Sequence, residues 1–277
     1  MTLSFEITED KCTRCGLCGK DCPVKIITLQ TGAPRILPAN QELCIKCQHC
    51  LAVCPNGALS IMGLSPEQSV PVNVNSFPEP NKMEALIKGR RSVRYYHDEN
   101  LPADTIRKLI DVASYAPTGF NSRSVRFSVI DDKQVLAEFR EKAYDSLAKL
   151  VSLGHLSETR SGFSRFVDLW QNKREDVLFR GAPHLLITSA PKKSASPVPD
   201  CLIALAYFEM FAQSLGVGTV WNGLVKRLVD QLVPSLRMQF GIPEHHIIGY
   251  AMGFGRPAIQ YSRAVQHPQA EVLRLSI

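Results

Sequence analysis

Cys12-Thr-Arg-Cys15-Gly-Leu-Cys18-Gly-Lys-Asp-Cys22-Pro23, and again Cys44-Ile-Lys-Cys47-Gln-His-Cys50-Leu-Ala-Val-Cys54-Pro55, place eight of the chain's nine cysteines in two copies of one spacing, C-x-x-C-x-x-C-x-x-x-C-P. Structural zinc also uses C-x-x-C pairs, but it is four-coordinate and takes two pairs per ion. A triplet plus a lone Cys-Pro, given twice, does not fit that pattern. A disulfide framework needs an oxidising compartment, and Met1-Thr-Leu-Ser-Phe-Glu-Ile lacks the basic start and apolar stretch of a signal peptide.

The run resembles that of bacterial two-cluster ferredoxins, which holds [4Fe–4S] cubanes on thiolates. Three closely spaced thiolates can cap three corners of a cubane, whereas the x-x-x gap aims the fourth elsewhere. In such ferredoxins the fourth thiolate ligates the other cluster. The resemblance therefore implies Cys12, Cys15, Cys18 and Cys54 around one cluster, and Cys44, Cys47, Cys50 and Cys22 around the second. Ile26, Ile27 and Leu29 follow the first run and Ala58 to Ile61 follow the second. Residues 1–62 thus read as a duplicated ferredoxin domain with a short strand after each Cys-Pro. So small a unit has little core, and its clusters supply much of its folding free energy.

Outward from this module, 277 residues suffice for one sizeable core plus a small appendage. Hydrophobic content of 45% and charged content of 21% describe an ordinary globular chain. The most apolar stretch, Cys201 to Phe211, is too short to span a membrane and is interrupted by Glu209. The net charge of +6 is scattered rather than gathered into a run, so nucleic-acid binding is not indicated. Eight thiolates at cluster spacing imply a reducing cytoplasm with little oxygen. Cys201 falls outside the pattern and reads as a small buried hydrophobe.

Residues 63–80 carry Pro66, Pro71, Pro78 and Pro80 and read as a semi-extended linker. The second domain, 81–277, opens with a capping box, Asn81-Lys-Met-Glu84, and a short helix through Ile87. Gly89 to Arg94 is expected to be extended. Ile106, Leu109, Ile110 and Ala113 form the stripe of an amphipathic helix whose first turn holds Pro102. Val125–Ile130 reads as a strand, Lys133 to about Leu150 as a helix and Leu185–Thr188 as a strand. An apolar helix covers 200–215, a strand 216–221, a helix Ser235–Phe240 and a strand Ile247–Met252. Residues 152–180 are polar and poorly signalled, a place for a lid or substrate wall. The mixture gives an α+β class, or mixed α/β.

Residues 84–277 resemble the FMN-dependent nitroreductase family in four segments, taken in the family's order. These are Arg90-Arg-Ser92-Val-Arg94, the loop Tyr115-Ala-Pro-Thr-Gly-Phe-Asn121-Ser-Arg123, the unit from Asp200 through Ser-Leu-Gly-Val-Gly-Thr-Val220, and Ile248-Gly-Tyr250 with Arg263 downstream. The resemblance implies an FMN enzyme working as an intertwined homodimer, with the helix from residue 200 as the candidate dimer core. Guanidinium forks suit a phosphate dianion, and period two puts Arg90, Ser92 and Arg94 on one face of an extended segment. Arg91 of the same motif points the other way, and Arg263 closes the site from the tail. Asn121 and Arg123 correspond to positions at the isoalloxazine edge, and Asn222-Gly223 to the turn beside its reactive edge. Here Arg123-Ser-Val stands where the family commonly has Gln-Pro-Trp. A cation near the pyrimidine end would raise the flavin potential, an expectation that a potentiometric titration of Arg123→Gln would test.

The expected cofactors are two [4Fe–4S] clusters and FMN, with NAD(P)H as a co-substrate that such enzymes hold loosely over the flavin. The expected partners are a second copy of the chain, a small acceptor such as a nitroaromatic or quinone, and an external ferredoxin or other carrier. Clusters joined to a flavin enzyme that could use NAD(P)H directly favour inward flow from an outside donor. Outward flow from NAD(P)H, a non-catalytic relay or sensor, and ene, quinone, dehalogenating or flavin-fragmenting reactions are the alternatives. Trp221 reads as core, and His245-His246 as a surface loop.

Overall fold

Short strands bracket each cysteine run, because the apolar residues flanking the runs need somewhere to pack. The computed structural model describes residues 3–29, 32–154 and 161–276. They form two compact units, Met1–Pro78 with Phe120–Ser122, and Glu79–Gly119 with Arg123–Ile277.

In the first unit the strands are β1 (Phe5–Ile7), β2 (Ile27–Thr28), β3 (Arg35–Ile36) and β4 (Leu59–Ile61). β1 pairs antiparallel with β4, Phe5 opposite Ile61 and Ile7 opposite Leu59, while β2 pairs with β3, Ile27 opposite Ile36. The strand before the first run therefore pairs with the strand after the second, and each half of the duplication completes the other. Helices α1 (Leu17–Asp21) and α2 (His49–Ala52) carry Cys18 and Cys50, both buried. Ile26, Ile27, Ile36, Leu51, Leu59 and Ile61 make a core in which the cysteines are embedded. Residues 63–78, read as linker, fall with this unit.

The second unit is built on an antiparallel sheet in the order β5 (Arg126–Ile130), β6 (His184–Pro191), β8 (His246–Gly255), β7 (Gly218–Trp221). Side chains alternate across it. Leu185, Ile187, Ile248 and Ala251 join one core with Leu136, Phe139, Tyr144 and Leu147 of α5 (Lys133–Ser152). Leu186, Met252 and Phe254 join the other with Leu109 of α4 (Ala103–Ala113) and Leu205 and Phe208 of α7 (Pro197–Ser214). α5 starts where it does because Asp132 accepts the Gln134 and Val135 N–H groups with its side chain. α7 lies so close to β8 that a Cβ on Gly249 would sit 2.1 Å from the Cys201 Cβ. Cys201 has no exposed surface, as expected of a small core residue. The α+β class is borne out.

Three local expectations need correction. Helix α3 (Pro80–Gly89) begins one residue earlier than Asn81, with Pro80 in its first turn and no side-chain cap; Glu84 pairs instead with Lys88, one turn on. The helix expected at Ser235–Phe240 is present, as the 3-10 helix Pro234–Phe240. His246 heads β8 and is buried, its Nδ1 3.1 Å from the Ser189 hydroxyl, so the histidine pair is not a surface loop. The stretch 152–180 holds an unexpected helix, α6 (Ser161–Lys173), whose Phe163 and Val167 are buried beside the partly buried Trp170; residues 155–160 lie outside those described. The Trp170 ring stacks on Tyr144 at 4.5 Å.

Candidate functional site

Two cavities in the first unit are each lined by four cysteines. Cys12, Cys15, Cys18 and Cys54 line one, with Ile7, Leu17 and Leu59 among its walls. Cys22, Cys44, Cys47 and Cys50 line the other, with Ile26, Ile36 and Ile61. The backbone wraps them with left-handed residues at matching positions of the two repeats: Arg14 and Lys46, Gly16 and Gln48, Lys25 and Gly57. Such turns point successive amides inward, and two N–H groups already reach sulfur, Ala58 to Cys54 Sγ at 3.2 Å and Lys46 to Cys44 Sγ at 3.4 Å. N–H groups aimed at cluster sulfurs are one of the protein's means of setting cluster potential.

All nine cysteines are free thiols. Burial raises the Cys18 thiol and pushes Cys50 up to about 12. Thiols so placed need a cation before they give up their protons, which iron supplies. Among the described residues no three His, Cys, Asp or Glu side chains are close enough to share a single metal ion. A cubane does not ask for that, because each thiolate meets a different iron. The chemistry and placement of the eight cysteines fit two [4Fe–4S] groups.

In the second unit the segment after α3 runs beside β7. Ser92 bridges Thr219, and the Val93 N–H donates to the Thr219 carbonyl at 2.8 Å. Arg90 is half-buried and donates from Nη1 to Glu209 Oε1 at 3.3 Å. Arg94 is exposed and donates to the Ser92 carbonyl at 3.2 Å. Arg91 lines a cleft of about 500 Å³ together with Val93, His97, Arg256 and Tyr261. Among the described residues Arg91, Arg94, Arg123 and Arg263 have no carboxylate within ion-pair distance, leaving their charges available to an anion.

At the far end of β7, Asn222 is buried and fully engaged. Its Oδ1 accepts the Val225 N–H and caps helix α8 (Gly223–Arg227), while its Nδ2 donates to the Leu178 carbonyl at 2.8 Å. Its side chain therefore shapes the turn. Gly223 is needed there because a Cβ would lie 2.7 Å from the Tyr250 hydroxyl. The extended arginine segment and the Asn222-Gly223 turn are thus gathered along one strand. The cleft opens on the Arg91 and Val93 face of the segment, and neither Arg90, Ser92 and Arg94 nor the Asn222-Gly223 turn is among its walls.

The remaining expected residues fall elsewhere. Arg123 lines a separate small cavity with Ser114, Thr118, Val125 and Phe127, its N–H donating to Thr118 Oγ1 at 3.0 Å. Asn121 belongs to the first unit and donates from Nδ2 to the carbonyls of Ile45 and Lys46 at 3.0 and 3.1 Å. Arg263 lies in the exposed, irregular tail. Glu209 was visible in the sequence only as a break in an apolar run, yet it organises this region. Trp221 is half-buried and donates from Nε1 to Glu209 Oε2 at 2.9 Å.

Comparison with known proteins accounts for both units. The model of the nitroreductase family matches residues 87–256, and that of the 4Fe-4S dicluster domain matches residues 11–59. A Methanothermobacter thermautotrophicus protein with the provisional name NADH dehydrogenase/NAD(P)H nitroreductase is 27% identical over 194 residues, covering 69% of this chain and 86% of its own. The nitroreductase NfnB of Mycolicibacterium smegmatis is 25% identical over 197 residues, 62% of this chain and 82% of its own. Among solved structures, a nitroreductase with bound FMN from Bacteroides fragilis superposes with a TM-score of 0.57 at 23% identity, covering 70% of this chain and all of the other. That likeness shows a shared fold.

Proposed function

The chain belongs to the nitroreductase family and carries a 4Fe-4S dicluster domain ahead of it, and on that premise we propose that it is an iron–sulfur flavoenzyme that reduces a small organic acceptor by two electrons. The observation that carries this reading is the joining of two four-cysteine cavities to a family domain whose basic segment and glycine turn share one strand. When bound, the clusters carry electrons singly and FMN supplies the chemistry that delivers them as a pair.

The chain's own residues hold these groups. Cys12, Cys15, Cys18 and Cys54 ligate one cluster, and Cys44, Cys47, Cys50 and Cys22 the other. Arg90, Ser92 and Arg94, with Arg91 and Arg263, bind the flavin phosphate, and the backbone at Asn222-Gly223 meets the ring. Arg123 serves the ring edge. The enzyme works as a homodimer across α7, where Val198, Ile203 and Tyr207 are exposed on a helix whose other face, with Cys201, Leu205 and Phe208, is buried. Its cysteine content suits a reducing, oxygen-poor cytoplasm, and among the described residues no helix is long and apolar enough to cross a membrane.

Electrons enter through the clusters from a ferredoxin-like donor. The names of the relatives favour a second reading, in which NAD(P)H is the donor. Anaerobic protein mixed separately with NADH, NADPH and reduced ferredoxin separates the two. Bleaching of the flavin by reduced ferredoxin, and slowly if at all by the nicotinamides, is expected. Rapid bleaching by NADH alone would reverse the direction.

A further inference from the structure

We propose that Glu209 is a positioning residue for the flavin phosphate, a role that rests on the assignment of Arg90 to that phosphate. Glu209 is the sole acid in the apolar stretch Cys201–Phe211 and is 7% exposed. A carboxylate in such a place needs donors, and it has three. Oε1 accepts from Arg90 Nη1 at 3.3 Å and from Thr219 Oγ1 at 3.2 Å, and Oε2 accepts from Trp221 Nε1 at 2.9 Å.

These donors sit at both ends of the proposed pocket. Thr219 is the residue to which the arginine segment is laced, through the Ser92 bridge and the Val93 N–H. Trp221 immediately precedes the Asn222-Gly223 turn, which the Asn222 bonds to Leu178 and Val225 hold without the carboxylate. Arg90 offers five N–H donors, of which Glu209 takes one and sets the plane of the rest. The pair also keeps a half-buried guanidinium from standing uncompensated before the phosphate arrives.

Glutamine cannot replace this carboxylate. An amide has one acceptor oxygen and a donating NH₂ group, while all three neighbours donate. Glu209→Gln turns a donor toward either Arg90 or Trp221, and in both orientations it removes the negative charge that holds the Arg90 fork in place. The loosened arginine keeps its charge, but bidentate phosphate binding depends on the plane of the fork.

The test compares FMN with riboflavin, which has the same ring and no phosphate, on flavin-stripped full-length protein with its clusters retained. Wild-type protein prefers FMN. In Glu209→Gln the FMN dissociation constant rises on the order of tenfold or more, and that for riboflavin stays within about twofold. An FMN-to-riboflavin ratio equal to that of wild type would overturn the positioning role alone. Absence of any FMN preference in the wild type would overturn the phosphate assignment, and this proposal with it. Should Glu209→Gln not fold, Glu209→Asp draws the carboxylate back from Arg90 by one methylene, and the ratio falls again. Trp221→Phe spares the Arg90 pair and keeps the ratio; an equal fall there would mark general loosening and overturn the role.

Discussion

His184 heads β6 with no exposed surface; its Nε2 accepts the Leu101 N–H at 2.9 Å, and its ring lies 5.1 Å from that of Phe254. Burial pulls its pKa from 6.5 down to about 4, against a weaker opposite pull from Asp131 and Asp132. The folded-state value lies below the unfolded one, so on acidification the unfolded chain takes up this proton first. The contribution is whole above pH 6.5 and is lost as the pH falls towards 4, on the order of 2–3 kcal/mol across the window. Thermal melts from pH 7 to 4 should therefore fall more steeply for wild type than for His184→Gln, whose amide oxygen can still accept from Leu101. Parallel curves would remove His184 as the cause. Neither this histidine nor Glu209 was legible as a partner in the sequence. Arg90 and Glu209 stand 119 positions apart, and a single buried polar residue leaves no periodic trace.

The packing of α7 on the sheet depends on a missing side chain. At Gly249 a Cβ would meet Cys201 Cβ at 2.1 Å and Thr188 Oγ1 at 3.1 Å, whereas nothing lies within 4 Å of one built on Gly89. Gly249→Ala must push a whole helix from β8, at a cost of about 3 kcal/mol, or a melting point lower by roughly 6–12 °C. Gly89→Ala, at the end of α3, should be neutral or slightly stabilising, by about 0.5 kcal/mol. Equal melting points for the two variants would show that the helix yields cheaply. Elements with a strong period were legible, as in α4, where Ile106, Leu109 and Ala113 are buried as the stripe requires. The helix α6 went unread although Phe163, Phe166, Val167 and Trp170 stand at i, i+3, i+4 and i+7. Polar residues surround that stripe and no Pro or Gly closes its end, so composition masked it.

On the scale of the whole molecule, the two-domain order and the duplication were legible because cysteine spacing is metal geometry written directly into sequence. The reach of the first unit was not. It runs on to Pro78 and takes in Phe120–Ser122, where the Asn121 amide binds two carbonyls inside the Cys44–Cys47 loop. The crossing of the fourth cysteines can be tested by pairs of substitutions. Cys12→Ser with Cys54→Ser strikes one proposed cluster, so iron should fall from about eight to about four per chain. Cys12→Ser with Cys44→Ser strikes both and should leave almost none. Almost no iron in either variant would place each fourth cysteine with its own run.

The strand pairing also governs how the molecule is made. As the chain leaves the ribosome, Phe5–Ile7 emerges long before Leu59–Ile61, the segment against which it is laid. Until then β1 lacks the strand it pairs with, and Cys12, Cys15 and Cys18 wait for Cys54, which shares their cavity. Maturation of the first site is thus timed by the arrival of the second half, and iron delivered earlier finds an open chain.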